Sequence, residues 1–101
     1  MQQILLVDGY NMIGAWKELR PLREPHFEDA RDRLIELMAE YKAAMGWRVI
    51  VVFDAHLVPG TEQLYVMHAI EVIYTRKNET ADERIEKLSM ELKGRKVQIH
   101  V

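Results

Sequence analysis

Val49-Ile50-Val51-Val52-Phe53-Asp54 is a run of five β-branched or aromatic residues stopped by an aspartate, and it decides the fold. A strand that is apolar at every position, rather than at alternate ones, belongs in a sheet covered on both faces, which is the parallel α/β arrangement. With its flank, Trp47 to Asp54 is read as a central strand. Gln3 to Asp8 repeats the pattern through Ile4, Leu5, Leu6 and Val7 and also ends on an acid. Between the two, Ala30, Leu34, Leu37, Met38, Tyr41 and Met45 recur at three- and four-residue spacing. Arg31, Arg33, Glu36, Glu40 and Lys42 are left facing water, so Phe27 to Met45 is an amphipathic helix that Gly46 terminates. Pro21 and Pro25 bracket the loop before it, and Asn11 to Leu19 is predicted to hold a short helix.

Downstream, Ile70 to Thr75 forms a third strand and Lys96 to Val101 a fourth. Thr80 followed by Glu83 is a capping box, Ile85, Leu88 and Leu92 make the buried stripe of a second long helix, and Lys93-Gly94 closes it. His56 to Ala69, with a turn at Pro59-Gly60, has no assignable period and is read as a crossover. Strand, helix, strand, crossover, strand, helix, strand implies a three-layer α/β fold, its sheet mostly parallel and covered by helices on both faces.

The chain has 101 residues, 49% of them hydrophobic, which is material for one core, so residues 1–101 are treated as a single domain. A net charge of −2 supplies no overall field for nucleic acid, so any RNA contact must be local or assisted by a partner. The absence of cysteine removes disulfides, thiolate nucleophiles and zinc–thiolate sites, in keeping with a reducing, cytoplasmic setting. The apolar run Ile4 to Val7 is too short for a signal peptide or a membrane span.

Parallel strands deliver their C-terminal ends to one edge, where ligands bind. Asp8 and Asp54 end the two central strands, and Asp82 lies in the first turn of the helix that follows the third, so topology brings three carboxylates to one rim. Such a cluster repels itself unless a cation compensates it. Mg²⁺ or Mn²⁺ suits oxygen donors and can activate water against a phosphodiester. Asn11 is positioned to ligate the ion or to orient a carboxylate. Each residue alone has an ordinary role, as turn former, helix cap or first-turn acid, and the functional case rests on their coincidence.

Arg76, Lys77 and Arg84 surround Asp82 and are candidates for an RNA backbone, whereas Lys87 is read as an ordinary helix-face partner of Glu83. His56 is a further candidate for a phosphate contact, set against the usual solvated loop histidine. Tyr10 and Trp16 are candidates for base stacking, set against core packing. His26, His68 and His100 have no metal-ligand spacing.

Leu6 to Ile13 (L-V-D-G-Y-N-M-I), Val49 to His56 (V-I-V-V-F-D-A-H) and Asn78 to Glu86 (N-E-T-A-D-E-R-I-E) together resemble the YacP-like branch of the NYN domains, relatives of PIN nucleases. The resemblance runs from the first strand to the last residue. It implies a metal-dependent endoribonuclease of bacteria and plastids that cleaves mRNA, in the best-known members on the ribosome. The family's acids then fall on Asp8, Asp54 and Asp82, and its asparagine on Asn11. Members of the family continue past the fourth strand into a T-S-D-type motif carrying another acid and into further helices. The expectation is therefore a fragment, weakly active or inactive alone and open to self-association along a sheet edge.

Two other functions compete. One is a catalytically inactive RNA- or ribosome-binding module of the same fold, against which the three aspartates and Asn11 speak. The other is phosphotransfer, but Tyr10 stands where an aspartate-based phosphatase needs its second acid, and Gly9 where a receiver domain carries one.

Overall fold

The computed structural model describes residues 2–22, 27–54, 63–94 and 97–100, the last four as backbone only. β1 (Gln2–Asp8) runs straight into α1 (Gly9–Ala15), a 3-10 turn follows at Arg20–Leu22, and α2 (Phe27–Met45) leads to β2 (Arg48–Phe53). After these come β3 (Gln63–Met67), β4 (Ile70–Tyr74), α3 (Ala81–Leu92) and β5 (Val97–His100). The sheet order is β3-β4-β2-β1-β5. β5, β1, β2 and β4 are mutually parallel, and β3 is antiparallel to β4.

The unbroken apolar runs are explained by two cores, one on each side of the sheet. Val7, Val49, Val51, Phe53, Val72 and Tyr74 pack toward α1 and α2. Ile4, Leu6, Ile50, Val52 and Ile73 pack toward α3, meeting Ala81 and Ile85. Every residue from Val49 to Phe53 is buried, each contributing roughly 1.5–3 kcal/mol relative to exposure. β1 pairs with β2 so that Leu6 lies beside Ile50 and Asp8 beside Val52, which gives the even-numbered positions of both strands the same face.

Two sequence expectations change, and a third element, the fourth strand, is found where expected. The expected crossover over His56 to Ala69 contains strand β3, which forms a hairpin with β4; the part of that segment before residue 63 lies outside the described residues. The hairpin turns at His68 and Ala69, with φ of 51° and 65°. Left-handed residues at both turn positions match strand twist, but they are normally signalled by Asn-Gly or Asp-Gly. The short helix expected over Asn11 to Leu19 starts earlier, at Gly9, and stops at Ala15 with Trp16 as its C-cap. The fourth strand is observed as Val97–His100.

Candidate active site

The pleat aims the two strand-end acids. Asp8 continues the face of Ile4 and Leu6, and Asp54 that of Ile50 and Val52, so both belong to the α3 side of the sheet. Asp82 arrives there from the first turn of α3, whose entry is held by Thr80. The Thr80 hydroxyl accepts from the Glu83 backbone N–H at 3.2 Å, and the Glu83 carboxylate accepts from the Thr80 N–H at 3.2 Å. Asp54 anchors the same helix end, with its Oδ2 accepting from the Ala81 N–H at 3.4 Å.

Asp8 is the N-cap of α1. Its Oδ1 accepts from the Asn11 backbone N–H at 3.3 Å, and its Oδ2 from the Asn11 side-chain Nδ2 at 3.1 Å. Asn11 therefore grips both oxygens of the carboxylate and sets its orientation. Asp8, Asn11 and Asp82 line one open pocket floored by Leu6 and Ile85. Burial pushes the Asp8 carboxyl above its ordinary range, the Asn11 backbone N–H pulls it back, and the neighbouring carboxyls of Asp82 and Asp54 raise it again. The Asp82 carboxyl lines the same pocket as Asp8.

Among the described residues, no group of three carboxylate or histidine side chains closes on a point that would hold one ion. The rim instead offers the facing pair Asp8 and Asp82, with Asp54 engaged at the helix end. That donor set fits a hard divalent ion that keeps several waters and takes only one or two protein carboxylates.

The cations sort differently from the sequence expectation. Arg84, expected as an RNA contact, gives its Nε and its second terminal nitrogen to one oxygen of Glu79, at 3.0 and 2.7 Å, and its side chain is only 11% exposed. Lys87 reaches the other oxygen at 2.8 Å. Glu79, which sequence reasoning missed, is a buried acid: desolvation alone would raise it, but Arg84, Lys87 and the Arg76 N–H hold it down at about 2. Its backbone carbonyl also accepts from the buried Thr75 hydroxyl at 2.8 Å, so this one residue shapes the loop that delivers Asp82. Arg76 and Lys77 are exposed on that loop. Tyr10 is half-buried, edge-on to Phe27 and 5.1 Å from the Phe53 ring, and Trp16 packs against the same core, so both serve as packing residues here. His56 lies outside the described residues.

Residues 5–101 match the YacP-like NYN domain. The chain belongs to that family. The uncharacterized protein YacP of Bacillus subtilis (strain 168) is 62% identical to this NYN chain over 98 residues, which are 97% of the chain and 58% of that protein. A crystal structure of Rae1 (YacP) from Bacillus subtilis superimposes with a TM-score of 0.85 at 62% identity, over 97% of this chain and 56% of that one. A mutant of the same protein gives 0.85 at 57% identity, over 100% of this chain and 57% of its own. The chain thus spans less than three-fifths of the length of these relatives. NYN domains are PIN-like and generally nucleases, so the family places the chain among nuclease-type hydrolase domains. No helix among the described residues is long and apolar enough to cross a membrane.

Proposed function

We propose that this NYN domain carries the acidic rim of a cytoplasmic endoribonuclease that hydrolyses RNA phosphodiester bonds with Mg²⁺ or Mn²⁺, acting on mRNA at the ribosome. The observation that supports this most is the facing pair Asp8 and Asp82, two carboxylates placed side by side at the edge of a parallel sheet, where burial and mutual repulsion raise the proton affinity of Asp8.

A divalent cation bound here would offset that repulsion and supply Lewis-acid activation of water and phosphate. Asp8, Asp54 and Asp82 are the residues that would hold it, directly or through water. Asn11 keeps both Asp8 oxygens aimed, the role of an outer-shell partner. Thr80, Glu83 and Asp54 fix the start of α3 and so the reach of Asp82. Arg76 and Lys77 flank this rim as contacts for the RNA backbone. The acidic balance of the chain supports a reading in which a partner, the ribosome, delivers the RNA. The products are a 5′-phosphate and a 3′-hydroxyl.

The test is cleavage of a ribosome-engaged mRNA by the intact protein in Mg²⁺ or Mn²⁺, comparing wild type with Asp8→Asn and Asp82→Asn. Each substitution is expected to cost at least the roughly 100-fold that outer-shell changes around a metal can reach. Unchanged cleavage in both variants refutes the assignment, and wild-type protein that binds RNA or the ribosome without cutting identifies a non-catalytic binding module.

A further inference from the structure

The described arginines differ in what they hold. Arg33 bonds Glu18 and Glu36, Arg48 grips Glu71 through two nitrogens, and Arg84 is spent on Glu79. Arg31 instead donates to a phenol, the Tyr10 hydroxyl, at 3.1 Å. Its charge also acts on the Tyr74 hydroxyl, which is itself 3.3 Å from that of Tyr65. Tyr10 is the second residue after Asp8 and Tyr74 is the last residue of β4, so this cation sits at the same strand-end rim as the acids. Its side of the sheet is the other one, because Phe53 and Tyr74 belong to the α2 core.

The seat is rigid. Tyr10 is held edge-on by Phe27 and against Phe53, Phe53 stacks on Tyr74, and Tyr74 stacks on Tyr65, with ring separations of 5.1 to 5.8 Å. The Tyr10 hydroxyl accepts from the guanidinium and keeps its own proton to donate. A half-buried guanidinium whose hydrogen-bond partners among the described residues are phenol hydroxyls rather than a carboxylate is a forked receptor for an oxyanion, and Arg suits phosphate better than Lys because its planar donors match two oxygens.

We infer that Arg31, steadied by the Tyr10 hydroxyl, binds an RNA backbone phosphate one or more nucleotides from the bond to be cut, so that the strand crosses the sheet rim from the acidic α3 side to the cationic α2 side. This rests on the endoribonuclease reading above and adds to it a positioning contact outside the acidic centre. It also replaces Arg84, whose charge is already neutralised within the fold.

The test measures binding of a fluorescent single-stranded RNA by the intact protein, in chelator and across a range of salt, so that no cleavage is needed. For a single strand each phosphate contact contributes about 0.7 to the slope of log affinity against log salt. Arg31→Gln is expected to lower the slope by about 0.7, equally for RNAs of different sequence. Arg31→Lys is expected to keep the slope while binding more weakly, a result that a merely structural role for Arg31 does not produce. Arg84→Gln is expected to leave the slope unchanged. A wild-type slope in Arg31→Gln, or a lowered slope in Arg84→Gln, overturns the inference. Failure of the nuclease reading shows separately, as full cleavage by Asp8→Asn and Asp82→Asn.

Discussion

Gly9 sets how closely α1 can lie against the end of β2, and replacing it by alanine tests the packing behind the rim. A Cβ built there lies 2.2 Å from Phe53 Cε1, 2.4 Å from Cδ1 and 3.0 Å from Cζ. Ordinary contact begins at 3.4 Å, so the ring must retreat by about 1.2 Å. It has nowhere to go, being fully buried with Tyr10 at 5.1 Å and Tyr74 at 5.4 Å. Alanine would otherwise favour the helix by roughly 0.5–1 kcal/mol, whereas overpacking a full core costs about 1–3 kcal/mol. The clash wins, and the net loss is on the order of 1–2 kcal/mol. For a chain of this size each kcal/mol is worth about 4–8 °C in Tm, so thermal unfolding of the intact protein resolves it. Shrinking the obstruction with Phe53→Leu should remove at least about half of the penalty for Ala at position 9, read as non-additivity in a double-mutant cycle. A Tm for Gly9→Ala equal to or above wild type, or strictly additive losses in the double mutant, refutes the reasoning.

Two further outcomes concern charge. Asp8 titrates above its ordinary value because of burial and acidic neighbours, so its folded form binds a proton more readily than the unfolded chain and stability falls as pH rises through the folded pKa. Asp8→Asn, which preserves the N-cap, should therefore raise the Tm at neutral pH in metal-free buffer, with the gain vanishing below about pH 4; an unchanged or lower Tm at pH 7 contradicts it. Glu79 behaves oppositely: its carboxyl is held at about 2, so its stabilisation is complete above its ordinary 4.5 and is lost as pH falls from there toward 2. Glu79→Gln should cost roughly 1.5–3 kcal/mol near neutrality, the range for a hydrogen bond to a charged group. The difference from wild type should shrink to nothing toward pH 2, and a difference independent of pH in acid denaturation contradicts the ion-pair account.

Patterns repeated many times along the chain were legible in the sequence. The apolar runs of β1, β2 and β4, the stripe of α2 and the capping box of α3 each sum several concordant residues, and they suffice to send Asp8, Asp54 and Asp82 to one rim. What a continuous apolar run hides is which face each position takes. Only the two cores reveal that Asp8 and Asp54 share the α3 side. β3 escaped because its sheet partner lies on one side only, leaving Leu64 and Val66 two-thirds exposed beside Gln63, and because a His-Ala pair makes its turn. Glu79 gave no warning, since a glutamate among charged neighbours looks solvated until Arg84 and Lys87 fold over it. Arg31 looked like one more solvent-facing helix cation, and its meeting with Tyr10 spans 21 positions of sequence.

Asp8 comes from a strand, Asp54 from the residue after another, and Asp82 from a helix grafted onto the far side by Ala81 and Ile85, so no local segment contains the rim. Partial unfolding that lifts α3 alone would scatter the trio while leaving the strands paired, and the proposed nuclease activity would then be lost before the bulk of the structure melts. Inactivation by heat or denaturant should accordingly precede global unfolding, and a ligand that bridges strand and helix would close that gap.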